Sequence, residues 1–359
     1  MQSAGRKVAH LNADDKREAM SQHGATVLDG GQPADVRRAA ELLRSGRVVA
    51  FPTETVYGLG ADATSASAVR EVFRLKGRPA GNPLIVHGPS VEAARRWCRN
   101  WPRQAQMLAD RFWPGPLTLV LPAAKGIAPE VLAGGTTVGV RIPAHPVALE
   151  LLGLCGFPVA APSANRSNRL SPTTAGAVAE LLGAGVAAIL DGGACEVGIE
   201  STVLDLSGTA PAILRPGAVS REELSAALGE RVRLLGEAAG GALRSPGMLP
   251  RHYAPRVPLV LVASAPEQPR EADFIIQFGD TAHSEPRRIT LPREPREYAS
   301  RLYESLLLAE QSGAARILVE RPPREEAWLA VLDRLARASA RERPGFQGEN
   351  TGKARGHTL

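Results

Sequence analysis

Short apolar runs alternate with amphipathic segments along the first two-thirds of the chain. Val48–Phe51 and Pro83–His87 are apolar and contain β-branched residues, a pattern typical of buried strands. Between them, Ser65–Leu75 has apolar residues at helical spacing, and the polar stretch Thr53–Gly60 is crowded with hydroxyls and glycines. The pattern predicts a strand, a polar loop, a helix and a second strand. Polar loops at strand ends are where α/β proteins bind their ligands.

The same alternation continues to residue 228. It predicts helices over Ala34–Ser45, Val91–Trp97, Arg103–Phe112, Val147–Leu154, Thr173–Leu182 and Glu222–Leu228, and strands over Leu117–Leu121, Thr137–Ile142, Val159–Ala161, Ala187–Leu190, Ser201–Leu206 and Ala212–Leu214. Helices and strands alternate, although not strictly. We therefore predict an α/β fold with a twisted mixed sheet flanked by helices.

A change in composition divides the chain of 359 residues into two domains. Between residues 229 and 258 the sequence is rich in Gly, Ala, Pro and Arg, as in a linker. The pattern beyond it predicts a small α/β, Rossmann-like domain with strands over Leu259–Val262, Phe274–Phe278, Ile289–Leu291 and Ile317–Val319, and helices over Arg296–Gln311 and Glu325–Ala338. We predict an N-terminal extension over residues 1–32 that ends in an edge strand, a first domain over 33–235, a linker over 236–257, a C-terminal domain over 258–340 and a disordered tail over 341–359.

Charge and cysteine usage narrow the choice of partners and compartment. The formal net charge of +6 and the isoelectric point of about 9.6 favour anionic partners such as nucleotides or RNA. The three cysteines are far apart and form no metal-binding spacing, so we expect reduced, buried thiols. No secretory signal pattern and no membrane-spanning apolar run is apparent in the sequence. These features predict a cytoplasmic protein that has no membrane segment.

Familiar phosphate-binding motifs are missing from the sequence. Gly58 and Gly60 are not followed by the third glycine of a dinucleotide-binding fingerprint, and the only Gly-Lys pair lacks the Ser or Thr of a Walker A motif. A nucleotide would therefore be held by dispersed groups. Lys76 and Arg78 are candidates because a compact ammonium and a planar guanidinium both suit phosphate. The alternative for this pair is a solvated cationic helix end.

Arg141 interrupts the otherwise apolar strand predicted over Thr137–Ile142. A buried guanidinium requires an anionic partner, and an amino-acid carboxylate would serve. The alternative is a structural ion pair with Asp62, Asp191 or Glu200. No arrangement of carboxylates in the sequence is specific for general acid–base catalysis, so we assign no general base.

Several motifs in a fixed order resemble a known family. PTETVYGLGADA, KGRPxxNPLIVH, FWPGPLT, VGVRIPxHP, APSAN, GIESTVLD and RPG resemble the YrdC-like domain of L-threonylcarbamoyladenylate synthases. SPGMLPRHYAP resembles the linker of the long, two-domain members of that family. The resemblance extends from about Pro33 to Pro255 and is much more specific than a single short pattern.

The resemblance implies an enzyme that makes threonylcarbamoyl-AMP and pyrophosphate from L-threonine, bicarbonate and ATP. It implies threonine contacts from Thr55, His87, Arg141, Ala161 and Ser201, and ATP contacts from Arg78, Asn82, Thr137, Ser163, Ser171, Arg215 and Tyr253. With the motif present, we predict Lys76 and Arg78 to be catalytic. A Mg²⁺ ion would be held mainly through ATP oxygens.

The resemblance also implies a place in tRNA modification. The product would pass to a transferase that modifies adenosine 37 of tRNA, and the linker over Arg244–Pro255 would close over the site with Tyr253 near the nucleotide. The alternative for the linker is a spacer. The alternative functions are an RNA-binding or ribosome-assembly module with a basic concave surface, and carbamoyl transfer as in hydrogenase-maturation proteins. Low aromatic content argues against base stacking, although weak RNA binding remains compatible with the charge.

Overall fold

A computed structural model describes residues 24–234, 252–279 and 283–340, which form two α/β domains in mutual contact. The first 23 residues of the predicted extension, residues 235–251 of the linker region and the predicted tail lie outside the described residues. The predicted closure of Arg244–Pro255 over the site can therefore be followed only from His252 onward.

A mixed sheet of eleven strands forms the centre of the first domain. The strands are β1 (Val27–Asp29), β2 (Val49–Phe51), β3 (Gly58–Asp62), β4 (Ile85–His87), β5 (Leu117–Pro122), β6 (Thr137–Arg141), β7 (Val159–Ala160), β8 (Ala188–Asp191), β9 (Thr202–Asp205), β10 (Ala212–Arg215) and β11 (Arg233–Leu234). Their order across the sheet is β1-β8-β2-β3-β7-β4-β6-β5-β9-β10-β11. The predicted strand near residue 27 is an edge strand, as expected, and the twisted mixed α/β sheet is confirmed.

Helices cover both faces of this sheet. They are α1 (Pro33–Arg44), α2 (Ala66–Lys76), α3 (Val91–Arg96), α4 (Arg103–Phe112), α5 (Pro129–Leu132), α6 (Pro146–Cys155), α7 (Ala175–Leu182) and α8 (Arg221–Leu228). Along β2, Val49 and Phe51 belong to one apolar cluster and Ala50 to another, because successive side chains of a strand point to opposite faces. Burial on both faces accounts for the nearly continuous apolar character of the strands.

The second domain contains a sheet of five strands in the order β12-β16-β13-β15-β14. The strands are β12 (Leu259–Val262), β13 (Asp273–Gly279), β14 (His283–Glu285), β15 (Arg288–Pro292) and β16 (Arg316–Glu320), and the helices are α9 (Pro295–Gln311) and α10 (Leu329–Ser339). All pairings are parallel except that of β14 with β15. The predicted small α/β domain is thus confirmed.

The structure corrects the predicted elements at a few places. The end of the predicted loop over Thr53–Gly60 is wrong, because Gly58–Asp62 forms β3 and pairs antiparallel with β2. A Cβ at Gly60 would lie 2.9 Å from the ring of Phe51, so the glycine allows a bulky neighbour to pack against the strand. The sequence analysis also missed three short elements, namely α5, β11 and β14.

The two domains share an apolar cluster. Val56, Leu170 and Ile199 of the first domain pack in the same cluster as Tyr253 and Tyr303. At Gly198 the backbone approaches α9 so closely that a Cβ there would lie 2.5 Å from the Cα of Ser300. A cleft of about 880 Å³ also lies between the domains, and none of the predicted site residues lines it.

Candidate active site

Nine of the predicted site residues line one small cavity in the first domain. They are Thr55, Arg78, His87, Arg141, Ala161, Ser163, Ser201, Arg215 and Tyr253. Lys76, Asn82, Thr137 and Ser171 are not among the lining residues. The cavity measures about 40 Å³, which has room for a few water molecules and is far too small for a nucleotide. The structure therefore represents a closed state of the site.

Two neighbouring strands give the site two distinct ends. β4 and β6 are parallel, with His87 in register with Arg141 and Ile85 in register with Gly139. Continued two residues beyond Ile85 and Gly139, the same register leads to Pro83 and Thr137, and Asn82 precedes Pro83. Because a strand rises about 3.3 Å per residue, Arg141 and Thr137 are roughly 13 Å apart. His87 and Arg141, two of the predicted threonine residues, thus lie at one end, and two predicted ATP residues lie at the other.

Arg141 at the first end is buried beside a carboxylate that the sequence analysis did not identify. Its Nη2 lies 2.8 Å from Oε1 of Glu54, and its Nε donates a hydrogen bond to the carbonyl of Gly115 at 3.2 Å. The predicted alternative partners, Asp62, Asp191 and Glu200, are wrong. Despite the short distance to Glu54, Arg141 Nη2 makes no well-directed hydrogen bond within the described residues. It therefore keeps a donor that a bound carboxylate can use.

His87 at the same end is neutral. Burial, together with the charge of Arg141, lowers the pKa of His87 to about 3. Its Nδ1 has no hydrogen-bond partner among the described residues. A neutral imidazole with an unpaired nitrogen at the cavity wall suits a hydroxyl or ammonium group of a ligand.

Acid should destabilise the protein through its buried histidines. Burial is the main cause that lowers the pKa of both His87 and His252 to about 3, from an ordinary value of 6.5. Below pH 6.5 the unfolded chain binds more protons, so stability falls as pH falls toward 3, by about 1.4 kcal/mol per pH unit for each histidine. Urea unfolding of His87→Gln between about pH 4 and about pH 6 measures how the free energy of unfolding changes with pH. For this variant, that change per pH unit should be smaller than in the wild type by the contribution of one histidine. If the free energy of unfolding depended on pH as strongly in the variant as in the wild type, His87 would not be the buried neutral group described above.

The other end of the site is cationic and buried. Arg78 donates from Nε to the carbonyl of Asn82 at 3.1 Å and from Nη2 to that of Pro83 at 3.0 Å. The ammonium of Lys76 donates to the backbone carbonyls of Ser163 and Asn165. Both cations are buried, so the alternative of a solvated helix end is wrong. Lys76 holds the loop that carries Ser163 and does not line the cavity in this closed state.

Asn82 is the most conspicuous unpaired group at this end. Its side chain is only 1% exposed, and neither amide atom makes a hydrogen bond within the described residues. A buried polar group without a partner costs about 1–3 kcal/mol of stability. Such a group is consistent with a ligand that supplies the missing bonds.

Ser201 and Arg215 together form one wall of the cavity. Arg215 donates to the backbone carbonyl and the hydroxyl of Ser201, each at 3.1 Å, and the hydroxyl of Thr118 lies 2.8 Å from that of Ser201. Ser171 donates a hydrogen bond of 2.6 Å to Glu200 and so lies behind this wall. Arg215 is the last residue of β10, directly after the predicted strand Ala212–Leu214.

His252 and Tyr253 of the linker also line the cavity. Tyr253 is 1% exposed, its ring stacks on Tyr303 with centroids 5.9 Å apart, and its hydroxyl has no hydrogen bond within the described residues. Ala254 donates a backbone hydrogen bond to Asn168 at 2.9 Å, which ties the segment to the first domain. The described end of the predicted linker is therefore packed into the site.

Comparison with known proteins identifies the family. Residues 41–217 match a family model described as Telomere recombination, and residues 219–340 match one described as Threonylcarbamoyl-AMP synthase, C-terminal domain. A threonylcarbamoyl-AMP synthase of Pyrococcus abyssi is 41% identical over 320 residues, which cover 85% of this chain and 94% of that protein. The chain belongs to the threonylcarbamoyl-AMP synthase family. Membership of this family makes it an enzyme.

Two further comparisons agree with this membership. The threonylcarbamoyl-AMP synthase of Bacillus subtilis is 38% identical over 325 residues, covering 85% of this chain and 92% of that protein. A crystal structure of P. abyssi Sua5 complexed with L-threonine is similar with a TM-score of 0.79 and 39% identity, covering 86% of this chain and 95% of that one. The two-domain fold expected from the resemblance is thus the fold of the threonylcarbamoyl-AMP synthase family.

The sequence did not reveal several residues that contact the site of this threonylcarbamoyl-AMP synthase family member. Glu54 lies within the PTET motif, but nothing in its local pattern indicates a pairing with Arg141. Thr118 follows the FWPGPL stretch and reaches Ser201 only because β5 and β9 are parallel neighbours. Arg334 and Tyr303 of the second domain contact Glu200, and an amphipathic helix pattern does not reveal such a contact.

The described ranges contain no group of three or more His, Cys, Asp or Glu side chains that could hold a metal ion. Within the same ranges, no helix combines the length and the apolar character that crossing a bilayer requires.

Proposed function

We propose that the chain is an L-threonylcarbamoyladenylate synthase, which converts L-threonine, bicarbonate and ATP into threonylcarbamoyl-AMP and pyrophosphate. The observation that supports this most strongly is the cavity, where nine residues from separate loops and strands meet. One end presents a guanidinium and a neutral histidine, and the other end gathers buried cations. A small amino acid and a nucleotide need such a division.

At the first end, Arg141 would bind the threonine carboxylate. Nη2 of Arg141 lies near Glu54 without a well-directed hydrogen bond to it, so this nitrogen would donate a charge-assisted hydrogen bond to the carboxylate of threonine. Thr55, Ser201 and the backbone of Ala161 would contact the rest of the amino acid, and His87 would accept a hydrogen bond from its hydroxyl or amine. These assignments agree with the lining of the cavity.

At the other end, Arg78 and Arg215 would bind the phosphates of ATP, with Ser163 and Thr137 as hydroxyl donors. Ser171 already donates its hydroxyl proton to Glu200, so it would contact the nucleotide as an acceptor from a ribose hydroxyl. Lys76 would act by fixing the loop that carries Ser163. Its pKa is lowered mainly by burial and secondly by the charge of Arg78, so the two groups lie near each other. Tyr253 would contact the nucleotide from the linker. ATP can enter only if the cavity widens, because its present volume is too small.

The reaction needs no protein nucleophile. The amine of threonine and bicarbonate give a carbamate and water, and a carbamate oxygen then forms a bond to the α-phosphorus of ATP. The bond from that phosphorus to the bridging oxygen breaks, and pyrophosphate leaves with the electron pair. Buried cations stabilise the negative charge that develops on the phosphoryl oxygens, and exclusion of water protects the mixed anhydride. The chain is accordingly a nucleotidyltransferase in this proposal.

A Mg²⁺ ion would be held mainly by the ATP phosphates and water. Among the described residues that line the cavity, Glu200 is the one carboxylate, and it is already bound by Ser171, Tyr303 and Arg334. The described lining thus offers no carboxylate cage, which fits an ion that is carried by the nucleotide. When bound, such an ion neutralises charge on the phosphates.

The product would be passed to a transferase that modifies adenosine 37 of tRNA. Measurement of pyrophosphate release from the full chain tests the proposal against its rivals. Release that requires ATP, threonine and bicarbonate together supports it. Release without threonine would indicate another carbamoyl transfer, and RNA binding without any release would favour the RNA-binding module.

Asn82→Ala should weaken ATP binding without weakening the fold. We expect the ATP KM to rise about tenfold, from the loss of hydrogen bonds of about 1–1.5 kcal/mol, while the threonine KM changes little. Because the amide is unpaired in the closed state, the stability of the free protein should stay equal or increase. In contrast, Asn165→Ala should lower stability, since its amide donates to two carbonyls at 2.8 Å. Equal losses of stability in both variants would contradict the role of Asn82.

A further inference from the structure

A carboxylate stands among the cations of the proposed ATP site. Glu200 is buried and lines the same cavity as Arg78 and Arg215. Burial by itself raises the pKa of this carboxyl, but the charges of Arg334 and Arg215 lower it to about 2, so it is ionised at neutral pH. An ionised carboxylate in this position attracts the cations that the phosphates need and repels the phosphates themselves.

The second domain supplies the groups that bind this carboxylate from behind. Arg334 in α10 donates from Nε to Oε2 of Glu200 at 2.8 Å, and the hydroxyl of Tyr303 in α9 donates to the same oxygen at 3.1 Å. Arg334 is only 1% exposed. The first domain contributes Ser171, which donates to Oε1 at 2.6 Å. Glu200 is therefore fully bound without using Arg78.

Arg334 also contacts Tyr253, an aromatic residue that lines the cavity. Its Cζ lies 5.0 Å from the ring centroid of Tyr253, a cation–π distance, and the ring of Tyr303 stacks on the same tyrosine. Its remaining charge contact is with Asp333, at 2.8 Å. One arginine thus links the carboxylate and the proposed nucleotide contact to the second domain.

We propose that Arg334 is a positioning residue for ATP: it binds Glu200 from the second domain and so leaves Arg78 available to the phosphates. This inference rests on the proposed function, because it takes ATP as the substrate. It gives the second domain a direct part in nucleotide binding, in addition to its part in the shared apolar cluster. Without Arg334, Glu200 would pair with the cations of the first domain.

The test compares charge-removing and charge-keeping variants of the full chain. Arg334→Gln should raise the ATP KM about tenfold or more, because the unpaired carboxylate then competes with phosphate. The threonine KM should stay within about twofold, and Arg334→Lys should keep the ATP KM within about threefold of the wild type. Pyrophosphate release gives both KM values, and calorimetric titration of ATP gives its affinity directly.

A second substitution separates this role from a merely structural one. Glu200→Gln added to Arg334→Gln should return the ATP KM to within about threefold of the wild type, because the competing charge is gone. A structural role predicts that the ATP KM and the threonine KM rise together and that the melting temperature falls in parallel. Wild-type ATP affinity in Arg334→Gln, or failure of Glu200→Gln to restore affinity, would overturn the inference.

Another ion pair between the domains provides the matched control. Arg221 binds Glu326 at 2.6 Å, away from the cavity, and both side chains are half-buried. Arg221→Gln should leave the ATP KM unchanged, which separates loss of Arg334 from general loosening of the interface. If the wild type itself releases no pyrophosphate yet binds ATP, the proposed function fails while the affinities still test Arg334.

Discussion

Arg141→Ala should raise the threonine KM about tenfold to a hundredfold and leave the ATP KM nearly unchanged. The lost charge-assisted hydrogen bond contributes about 1.5–3 kcal/mol. The substitution also leaves Glu54 buried without its partner at 2.8 Å, which should cost about 3–5 kcal/mol of stability. Steady-state kinetics and urea unfolding of the same variant measure the two effects.

The two effects can be separated in a double variant. Arg141→Ala combined with Glu54→Gln removes the orphaned charge, so most of the stability should return. Threonine binding should remain weak, because the carboxylate still lacks its cation. Recovery of threonine affinity together with stability would assign Arg141 a structural role only.

Gly217→Ala should lower kcat/KM about a hundredfold. A Cβ at this position would lie 2.3 Å from the backbone nitrogen of Thr202 and 2.6 Å from the carbonyl oxygen of Glu200. These contacts are with backbone, so the segment that carries Ser201 would have to shift, and small misplacements of a binding group cost about that factor in rate. Pyrophosphate release measures the loss.

A neighbouring glycine serves as the control for this substitution. Gly208 lies in the turn between β9 and β10, and a Cβ there would meet nothing within 4 Å. Gly208→Ala should therefore keep wild-type activity and stability. Equal activity of both variants would indicate that the backbone segment carrying Ser201 can shift without loss of activity.

The strands, helices and most of the lining residues were accessible from the sequence, because apolar periodicity and loop motifs are local signals. β3 was not, since Gly58 and Gly60 are typical of loops. Their place in a strand depends on the ring of Phe51, which needs the space that a side chain at Gly60 would occupy. A contact of this kind becomes visible only when two strands are paired.

The charged partners were inaccessible for a different reason. Glu54 meets Arg141 across several strands of the sheet, and Arg334 meets Glu200 across the domain interface, 134 positions apart in the chain. An arginine on an amphipathic helix has the pattern of a surface residue. Its burial is decided by the opposing domain, so the sequence of α10 alone carries no sign of it.

The apolar cluster shared by the two domains has a consequence for how the protein melts. Val56, Leu170 and Ile199 are buried in one cluster with residues of the second domain. An apolar cluster that spans both domains couples their unfolding, so heating should melt them in a single calorimetric transition. A ligand that binds only at the first domain then protects the second domain from heat to the same extent.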